Sequence, residues 1–373
     1  MGRCSMMFGP ATQCCDDERH GTGVKAIRWH RRFDVRVDDV EPAGRPGPGY
    51  VQIRVASCGI CGTDVAEYDH GPLFIPVGAP HPLTGRTAPV TLGHEVCGQV
   101  IAAGDPTAEH LVGHLVAIDG LITCGACWAC RAHRVNMCEQ LASIGFSADG
   151  GLAAVLNAPA RGCLPLADNI KPDIGALAEP LSVGVRALRR GRFQAGERVV
   201  VVGGGAVGQL SAQAALALGA TEVVVVEADA ARRAAASMVG LPIVVDPSVA
   251  SEAGGDLVIE CSGTGEGVST SLMAARPTGR VVLVGITPSP PLLPALELVR
   301  YEQEIIGSLS HIYDEDFATA VGLINSGHLG TSPRSLFATL DEALTYLTGS
   351  AAPPPGVVKV IVHPDATYSR ALA

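Results

Sequence analysis

Alternating apolar and polar positions mark the first part of the chain as β-rich. Val24–Ile27 and Tyr50–Ser57 alternate in the manner of half-buried strands, and the turn-rich segment Pro42–Gly49 separates them. Val96–Ala102 and Leu115–Ile118 show the same alternation in a region punctuated by Gly and Pro. The pattern predicts strands joined by long loops, with few helices, in this part of the chain.

Strand-like and helix-length segments alternate from about Leu177 onwards. Arg198–Val202 is a β-branched run that leads into glycines and then into the alanine-rich, helical stretch Gly208–Leu218. Further strand-like runs lie at Val223–Val226, Ile243–Val245, Leu257–Ile259, Val281–Val284 and Ile305–Leu309. This alternation predicts a doubly wound parallel sheet.

A glycine-rich loop follows the first strand of this second region. Gly203, Gly205 and Gly208 occupy the three positions of a strand–G-x-G-x-x-G–helix motif. In such a loop the first glycine permits a tight turn, the second lets a pyrophosphate approach the backbone, and the third allows close helix–strand packing. Ala206 and Val207 lie between the second and third glycines and are also candidate cofactor-binding residues, and the N-terminus of the helix that follows favours negative charge. The motif predicts a dinucleotide cofactor, although the glycines alone are a weak signal.

Glu227 strengthens the cofactor prediction. It ends the second strand about twenty residues after the glycines, where a carboxylate can accept hydrogen bonds from both hydroxyls of the adenosine ribose. The same carboxylate repels a 2′-phosphate, which favours NAD over NADP. Arg232 and Arg233 lie just beyond it. Because an arginine can accommodate a 2′-phosphate, NADP stays the less favoured alternative cofactor. The alternative interpretation of Glu227 is a solvated strand end.

The end of the chain returns to mixed character after His311. A helix is predicted at Asp314–Asn325, and a final strand at Val357–Val362 follows the turn at Pro353–Pro355. We infer a cofactor domain inserted into a second domain that contains both ends of the chain. The predicted units are a disordered tail at 1–23, a β-rich domain at 24–178, a dinucleotide domain at 179–312 and the remainder of the first domain at 313–373.

Composition changes this picture little. The 373 residues exceed what one hydrophobic core normally serves, and 47% apolar against 17% charged residues suits a parallel sheet that is covered on both faces. A net charge of −10 argues against nucleic acid as a partner. The most hydrophobic region, Val199–Val226, is interrupted by polar residues, so no membrane span is expected. Twelve cysteines with metal-type spacing, and no apolar core of a signal peptide, favour the cytoplasm.

Four cysteines fall within fifteen residues. Their spacing is C-x2-C-x2-C-x7-C, at Cys124, Cys127, Cys130 and Cys138. Thiolates at such short intervals can enclose one tetrahedral metal ion, usually zinc. A disulfide pair or free buried thiols would not explain three successive thiols at intervals of three in a polar loop. Because four thiolates leave no open coordination position, the sequence predicts a structural site in a lobe at 120–140.

A second set of potential metal ligands is dispersed along the chain. It comprises Cys58 and Cys61, then His94 and Glu95, and much later Glu179. One thiolate, one imidazole and one or two carboxylates are typical of an open, catalytic zinc. Taken singly, the two cysteines could be a redox pair, the histidine a core residue and the late glutamate a helix-start carboxylate.

In this order, the motifs resemble the zinc-dependent medium-chain dehydrogenase/reductases from about Val24 to Ile361. The segments that carry the resemblance are Cys61-x-Thr63-Asp64, Gly93-His94-Glu95, the cysteine quartet, Glu179-Pro180-Leu181 and the Gly203–Gly208 loop. The family implies an α/β protein in which a GroES-like, β-rich catalytic domain is joined to a Rossmann doubly wound parallel-sheet cofactor domain. Gly71–Pro76 with Pro80–Gly85 and Ala88–Glu95 is also similar to an insertion of the branch that contains the (R,R)-2,3-butanediol dehydrogenases.

The resemblance implies roles for individual residues. Cys61 and His94 would be the constant ligands of a catalytic zinc, with Glu95 and Glu179 as carboxylate ligands that exchange with water or substrate oxygen. Thr63 would hydrogen-bond the substrate oxygen. In addition, Asp64 would orient a metal ligand from behind, whereas Cys58 matches no ligand position and is expected to pack nearby. Two Zn²⁺ ions per chain, NAD, and a homodimer or homotetramer complete what the family implies.

The expected reaction interconverts a small secondary alcohol or vicinal diol and its ketone, with (R,R)-2,3-butanediol and acetoin as the best candidates. A polyol of the sorbitol type or L-threonine is the alternative substrate, and a non-catalytic NAD-binding sensor is the alternative class. Ala66 departs from many relatives, which carry a proton-relay histidine there. Thr63 would then begin a relay that is finished by water or by Glu67.

Overall fold

The computed structural model describes residues 23–241, 243–286, 293–329, 333–365 and 368–369. The tail predicted for 1–23 therefore lies outside the described residues, except for Gly23. Among the described residues, no helix has the length and apolar character needed to cross a membrane.

The first half of the chain is strand-rich, as its alternation predicts. Its strands are β1 (Val24–Arg31), β2 (Asp34–Val40), β3 (Tyr50–Ile60), β4 (Val90–Thr91), β5 (Glu95–Ala103), β6 (Leu115–Ile118), β7 (Leu121–Ile122), β8 (Ala142–Ser143), β9 (Val155–Pro159) and β10 (Cys163–Pro165). Its helices are α1 (Gly62–His70), α2 (Trp128–Arg131), α3 (Pro172–Gly175) and α4 (Ala178–Arg190).

Strands and helices alternate in the second half. The strands are β11 (Arg198–Val202), β12 (Glu222–Val226), β13 (Ile243–Val245), β14 (Gly255–Glu260), β15 (Ala275–Leu283), β16 (Glu304–Gly307), β17 (Ser335–Ala338) and β18 (Lys359–Val362). The helices are α5 (Ala206–Ala217), α6 (Ala230–Met238), α7 (Gly265–Ala274), α8 (Ala295–Tyr301), α9 (Ala318–Asn325) and α10 (Leu340–Leu347).

The largest sheet joins the two ends of the chain. Its order is β10-β6-β5-β3-β18-β17, with β9 also paired to β3. Because β18 pairs antiparallel with β3, the last described strand joins a sheet built mainly from the first half of the chain, whereas β1, β2 and β4 form a separate sheet. Trp29, Ile53, Ile118 and Leu152 are fully buried in the core of this region.

The second sheet is parallel throughout, in the order β13-β12-β11-β14-β15-β16. Val199–Val202 of its central strand are buried, since helices cover both faces and β-branched side chains pack well there. The strand order reverses between β11 and β14, which opens a crevice at the carboxyl ends of these two strands. The glycine loop lies at this crevice, where a Cβ at Gly203 would be only 2.8 Å from the amide nitrogen of Ser262.

Two predicted elements in the last part of the chain differ from the structure for identifiable reasons. The helix predicted at Asp314–Asn325 is a π-helical turn at Tyr313–Phe317 followed by α9, because the buried Asp316 carboxylate accepts from Ile312 N at 2.8 Å and holds this turn. The final strand begins at Lys359 and not at Val357. The backbone N–H of Val357 is used in a turn to Pro354 instead.

Candidate active site

Cys61 lies where β3 ends and α1 begins. Its backbone N–H donates to Asp64 Oδ2 at 2.9 Å, so the fully buried Asp64 fixes the start of the helix and the position from which the thiol projects. Thr63 Oγ1 lies 3.5 Å from Cys61 Sγ. The first turn of α1 therefore places a thiol and a hydroxyl side by side.

His94 and Glu95 approach from the start of β5. The preceding Gly93 has a φ of 94°, and a Cβ there would lie 2.6 Å from Cys58 Sγ. On the neighbouring strand, a Cβ at Gly59 would collide with the Glu95 carboxylate. These two glycines allow the imidazole and the carboxylate to reach the site, and Cys58 packs against its base.

Lys359, at the start of β18, carries the positive charge that compensates the Glu95 carboxylate. Its Nζ lies 2.5 Å from Glu95 Oε1 and donates to the Ile60 carbonyl at 3.0 Å. Both side chains are buried. Burial lowers the pKa of Lys359, but the nearby negative charges, chiefly that of Glu95, together raise it above the ordinary value.

The ligand atoms of Cys61, His94 and Glu95 all lie within 4.8 Å of one another. We refer to these three residues as the buried cluster. His94 Nδ1 is 3.5 Å from Asp64 Oδ1, and Glu95 Oε2 is buried and has no hydrogen-bond partner among the residues that the structure describes. Burial lowers the pKa of His94, but the charge of Asp64 and its hydrogen bond raise it well above the ordinary value. This concentration of negative charge and the unsatisfied carboxylate oxygen fit a bound cation.

Glu179 is not one of the three residues in the buried cluster. It lies in the first turn of α4, with its Oε1 3.7 Å from His311 Nδ1, and burial raises its pKa. His311 Nε2 is 2.8 Å from Asp119 Oδ1, and all three side chains are largely buried. The predicted fourth ligand therefore contacts a histidine–aspartate pair that links the loop after β16 to the end of β6.

The four cysteines of the 120–140 segment form a separate group, which we call the four-cysteine lobe. The paired strands β7 and β8 hold its two ends together. The Cys124–Cys130 and Cys127–Cys138 sulfur pairs are each 3.9 Å apart. A tetrahedron of Zn–S bonds of about 2.3 Å gives sulfur separations of about 3.8 Å, so the lobe fits a tetrahedral zinc, whereas a disulfide would require about 2 Å.

Backbone amides favour thiolates in this lobe. The N–H groups of Ala126 and Cys127 donate to Cys124 Sγ at 3.4 and 3.3 Å, which lowers the pKa of that thiol. Amides of Cys130 and Glu139 lower the pKa of Cys127 to about 6. Desolvation instead raises the pKa of Cys130 to about 12, a shift that a bound cation would reverse.

The glycine loop has the geometry that its sequence predicts. Gly203 has a φ of 102°, and a Cβ at Gly208 would collide with the Gly203 carbonyl, so both positions require glycine. Gly205 precedes α5, and a Cβ there would meet nothing within 4 Å. This open cradle at a helix N-terminus, where Ala206 and Val207 begin α5, fits a pyrophosphate.

Glu227 lies beside this loop at the end of β12. Its Oε2 accepts from Gly204 N at 2.6 Å and its Oε1 from Asp229 N at 2.8 Å. Arg232 is exposed on α6, whereas Arg233 Nη1 donates to the Glu227 carbonyl at 2.7 Å. Arg233 is therefore an arginine that contacts the strand end, and the cofactor-binding role of Arg232 stays a prediction.

The structure corrects the expectation for Glu67. This residue was a candidate for completing a proton relay next to Ala66. Its carboxylate is fully buried and accepts from the backbone amides of residues 73–75. An acceptor that is occupied in this way and shielded from water does not pass a proton to solvent.

Sequence reasoning did not identify Lys359, His311 or Asp119 as part of this region. Lys359 lies 264 residues from Glu95, and His311 lies 192 residues from Asp119. No motif or periodicity connects residues so far apart. The type of residue was the one available signal. A lysine begins an otherwise apolar strand, and a histidine lies where the alternation of strands and helices ends.

Comparison with known proteins identifies the family. The model of the alcohol dehydrogenase GroES-like domain matches residues 47–168, and that of the zinc-binding dehydrogenases matches residues 206–326. Together with the parallel sheet, these matches confirm the predicted fold class. The domain boundaries predicted from the sequence stay predictions.

Three relatives illustrate the range of the match. The chain is 31% identical to (R,R)-butanediol dehydrogenase from Bacillus subtilis (strain 168), over 92% of this chain and 100% of the relative. It is also 31% identical to L-threonine 3-dehydrogenase from Thermococcus kodakarensis, over 78% and 83% of the two chains. A solved structure from Sinorhizobium meliloti 1021, assigned as a zinc-binding dehydrogenase and bound to NADP, is 32% identical with a TM-score of 0.82, over 92% and 100%. This chain therefore belongs to the zinc-dependent medium-chain dehydrogenase/reductases, and is an oxidoreductase that acts on CH–OH groups with a nicotinamide cofactor.

Proposed function

We propose that this chain is an NAD(H)-dependent dehydrogenase that interconverts a small secondary alcohol or vicinal diol and its ketone, with (R,R)-2,3-butanediol and acetoin as the preferred pair. The observation that carries the proposal is the meeting of Cys61, His94 and Glu95 in one buried cluster. The similarity to the Bacillus subtilis butanediol dehydrogenase supports the choice of substrate.

Cys61, His94, Glu95 and Glu179 would hold a catalytic zinc, and the four-cysteine lobe would hold a structural one. A bound zinc would supply Lewis acidity that makes the alcohol hydroxyl easier to deprotonate, and a bound nicotinamide would accept the hydride. The residues of the chain prepare the site for this chemistry. Asp64 fixes the start of the helix that carries the Cys61 thiol, and Lys359 keeps the buried Glu95 charge compensated.

Thr63 is proposed to take the proton of the substrate hydroxyl. Its Oγ1 lies beside Cys61 Sγ, so an alcohol oxygen at the cluster would come within hydrogen-bonding reach. Ala66, one helical turn further on, provides no titratable group, and the Glu67 carboxylate is occupied by amides. Water is therefore proposed to complete the relay to solvent.

NAD is proposed in preference to NADP because the Glu227 carboxylate stands at the end of β12 beside Gly204. A carboxylate has more lone pairs than the two backbone N–H groups use, so it can still accept from a ribose hydroxyl. The NADP bound to the Sinorhizobium meliloti protein, and the position of Arg233, make the opposite preference a genuine alternative.

A homodimer is proposed, with a tetramer as the alternative. Strand β16 forms one end of the parallel sheet, and Leu296 and Val299 of the nearby α8 are 74% and 77% exposed. A sheet edge and an apolar helix face that lie together suit a symmetric contact with a second copy. The described cysteines form no disulfide, which supports a reducing, cytoplasmic location.

A substrate screen tests the proposal. The purified chain would be assayed with both 2,3-butanediol enantiomers, acetoin, sorbitol and L-threonine, each with NAD and with NADP. We expect the highest kcat/KM with (R,R)-2,3-butanediol and NAD. A higher value with L-threonine, for which the Thermococcus kodakarensis relative is the reason to look, would replace the substrate and retain the reaction class.

A further inference from the structure

Glu67 is a fully buried carboxylate that belongs neither to the buried cluster nor to the cofactor loop. Its Oε1 accepts from the amides of Leu73 at 3.1 Å, of Phe74, and of Ile75 at 3.0 Å, and its Oε2 also accepts from Leu73 at 3.0 Å. Three successive amides therefore converge on one side chain. These N–H donors satisfy a carboxylate that burial removes from water, so the side chain and the segment hold each other in place.

The backbone of Glu67 holds the same segment. Its carbonyl accepts from Gly71 N and from Trp29 Nε1, both at 2.9 Å. A Cβ at Gly71 would collide with the Glu67 carbonyl and carboxylate, so only glycine fits at this point. Residues 71–75 are thus wrapped around Glu67 at close contact.

The held segment carries an aromatic side chain towards the buried cluster. The half-exposed Phe74 ring lies 5.6 Å from the ring of Phe146, and Phe146 lies 4.9 Å from the imidazole of His94. The two phenyl rings form an aromatic wall that runs from the surface to the proposed metal ligand. An alcohol with its oxygen at the cluster would place its carbon skeleton beside this wall.

We propose that Glu67 is a positioning residue. By fixing residues 73–75 it sets the aromatic wall formed by Phe74 and Phe146, which selects the carbon skeleton of the alcohol. The substrate class in this inference rests on the proposed function, whereas the structural role of Glu67 does not. The described groups that donate to its carboxylate are backbone amides of residues 73–75, so the inference assigns it a role in specificity and not in proton transfer.

Glu67→Gln tests the inference. The substitution keeps the size, removes the charge and turns an NH₂ group towards amide donors. We expect the ratio of kcat/KM for 2,3-butanediol to kcat/KM for 1-phenyl-1,2-ethanediol to fall about tenfold. The change should come mainly from the KM values of the two substrates. The zinc content should stay unchanged. Phe74→Ala should lower the same ratio, and the double variant should add little, because both changes act through one wall.

Glu342→Gln is the matched control. Glu342 caps α10 by accepting from Thr339 N at 2.8 Å, away from the wall, so this variant should keep the ratio. If Phe74→Ala retains the wild-type ratio of the two kcat/KM values, the aromatic wall does not select between the two substrates and the inference is wrong. A Glu67→Gln variant that shifts the pH profile of kcat and keeps the ratio would also overturn it.

Hydrogen exchange gives a readout that needs no substrate. The amides of residues 73–75 should be protected in the wild type and should exchange about tenfold faster in Glu67→Gln, whereas Glu342→Gln should leave them unchanged. Equal exchange in the wild type and Glu67→Gln would refute the positioning role. If the wild type oxidised no alcohol, the proposed function would fail, and the exchange rates alone would decide whether Glu67 holds the segment.

Discussion

The four-cysteine lobe and the buried cluster both collect metal-type ligands, but they assemble them over different distances along the chain. The lobe takes its thiols from residues 124–138, and the short pair β7–β8 closes it. The buried cluster takes Cys61 from the start of α1, Glu95 from the first position of β5, and His94 from the residue before it. It also depends on Lys359 from β18 for charge compensation.

The lobe therefore depends on residues that are close along the chain, whereas the buried cluster depends on residues from distant parts of the fold. Three of the four lobe cysteines are partly exposed, and their pKa values respond to amides in the same loop. In the buried cluster His94 and Glu95 are nearly or fully inaccessible, and each needs a partner from another strand or helix. A change in the cluster should therefore affect catalysis or the stability of the whole fold, whereas a change in the lobe should act mainly nearby.

The largest effect is expected at Cys61. Cys61→Ser should reduce kcat/KM by about 10³-fold or more, since a ligand at the reacting centre is lost. Metal analysis should show zinc falling from two ions per chain to one, with the lobe still loaded. Cys58→Ala, three residues away and outside the cluster, should keep both ions. Equal metal loss in the two variants would show that the distinction between ligand and packing residue is wrong.

The next largest effect is expected at Lys359. Lys359→Met removes the only cation described beside the buried Glu95 carboxylate, and should lower the free energy of unfolding by about 3–5 kcal/mol. Urea denaturation measures the change. Lys25→Met breaks an exposed ion pair with Asp39 and should cost under about 1 kcal/mol. Similar losses in the two variants would contradict the global dependence of the cluster.

A smaller effect on activity is expected in the lobe. Cys127→Ser should release the structural zinc and expose residues 124–138 to proteolysis, while kcat/KM falls by about tenfold. Limited proteolysis and kinetics would be measured on the same preparation. The buried Cys163, which is outside both clusters, provides Cys163→Ala as the control. An activity loss as large as that of Cys61→Ser would show that the lobe is not locally independent.

The smallest effect is expected at Ala66. Ala66→His places a titratable group on the half-buried face of α1 and should raise kcat a few-fold below neutral pH if proton release limits turnover. The pH profile of kcat measures it, with Ala66→Gln as the control of similar size. Identical profiles for the two variants would remove proton release as the limiting step.

How well the sequence predicts each of these regions also depends on whether its contacts are local or distant along the chain. The spacing of the cysteines was sufficient to predict the lobe, and the β-branched run Arg198–Val202 and the alternating Leu115–Ile118 gave the bounds of β11 and β6 that the structure has. Local patterns fix local structure, because the interacting residues lie within a few turns. The bond between Lys359 and Glu95 arises only when β18 pairs with β3.

Glu67 shows the same limit inside a single motif. The sequence places it next to Ala66, and that position suggested proton transfer. Its role depends on residues 73–75 turning back over α1. The periodicity of the sequence contains no signal for this turn. Glu179 is similar: the resemblance assigns it to the zinc, and only the fold reveals that His311 lies 3.7 Å away.

The return of β18 to β3 has a consequence for synthesis of the protein. At the roughly 5–20 residues per second of a translating ribosome, Lys359 emerges about 13–53 s after Glu95, from which it is separated by 264 positions. The four lobe cysteines, by contrast, lie within residues 124–138 and can come together while translation continues. The buried cluster can gain the compensating charge of Lys359 only after β18, the last described strand, has been synthesised. Chains stalled before residue 359 should therefore lack the Lys359–Glu95 ion pair, whereas all four lobe cysteines are already present in them.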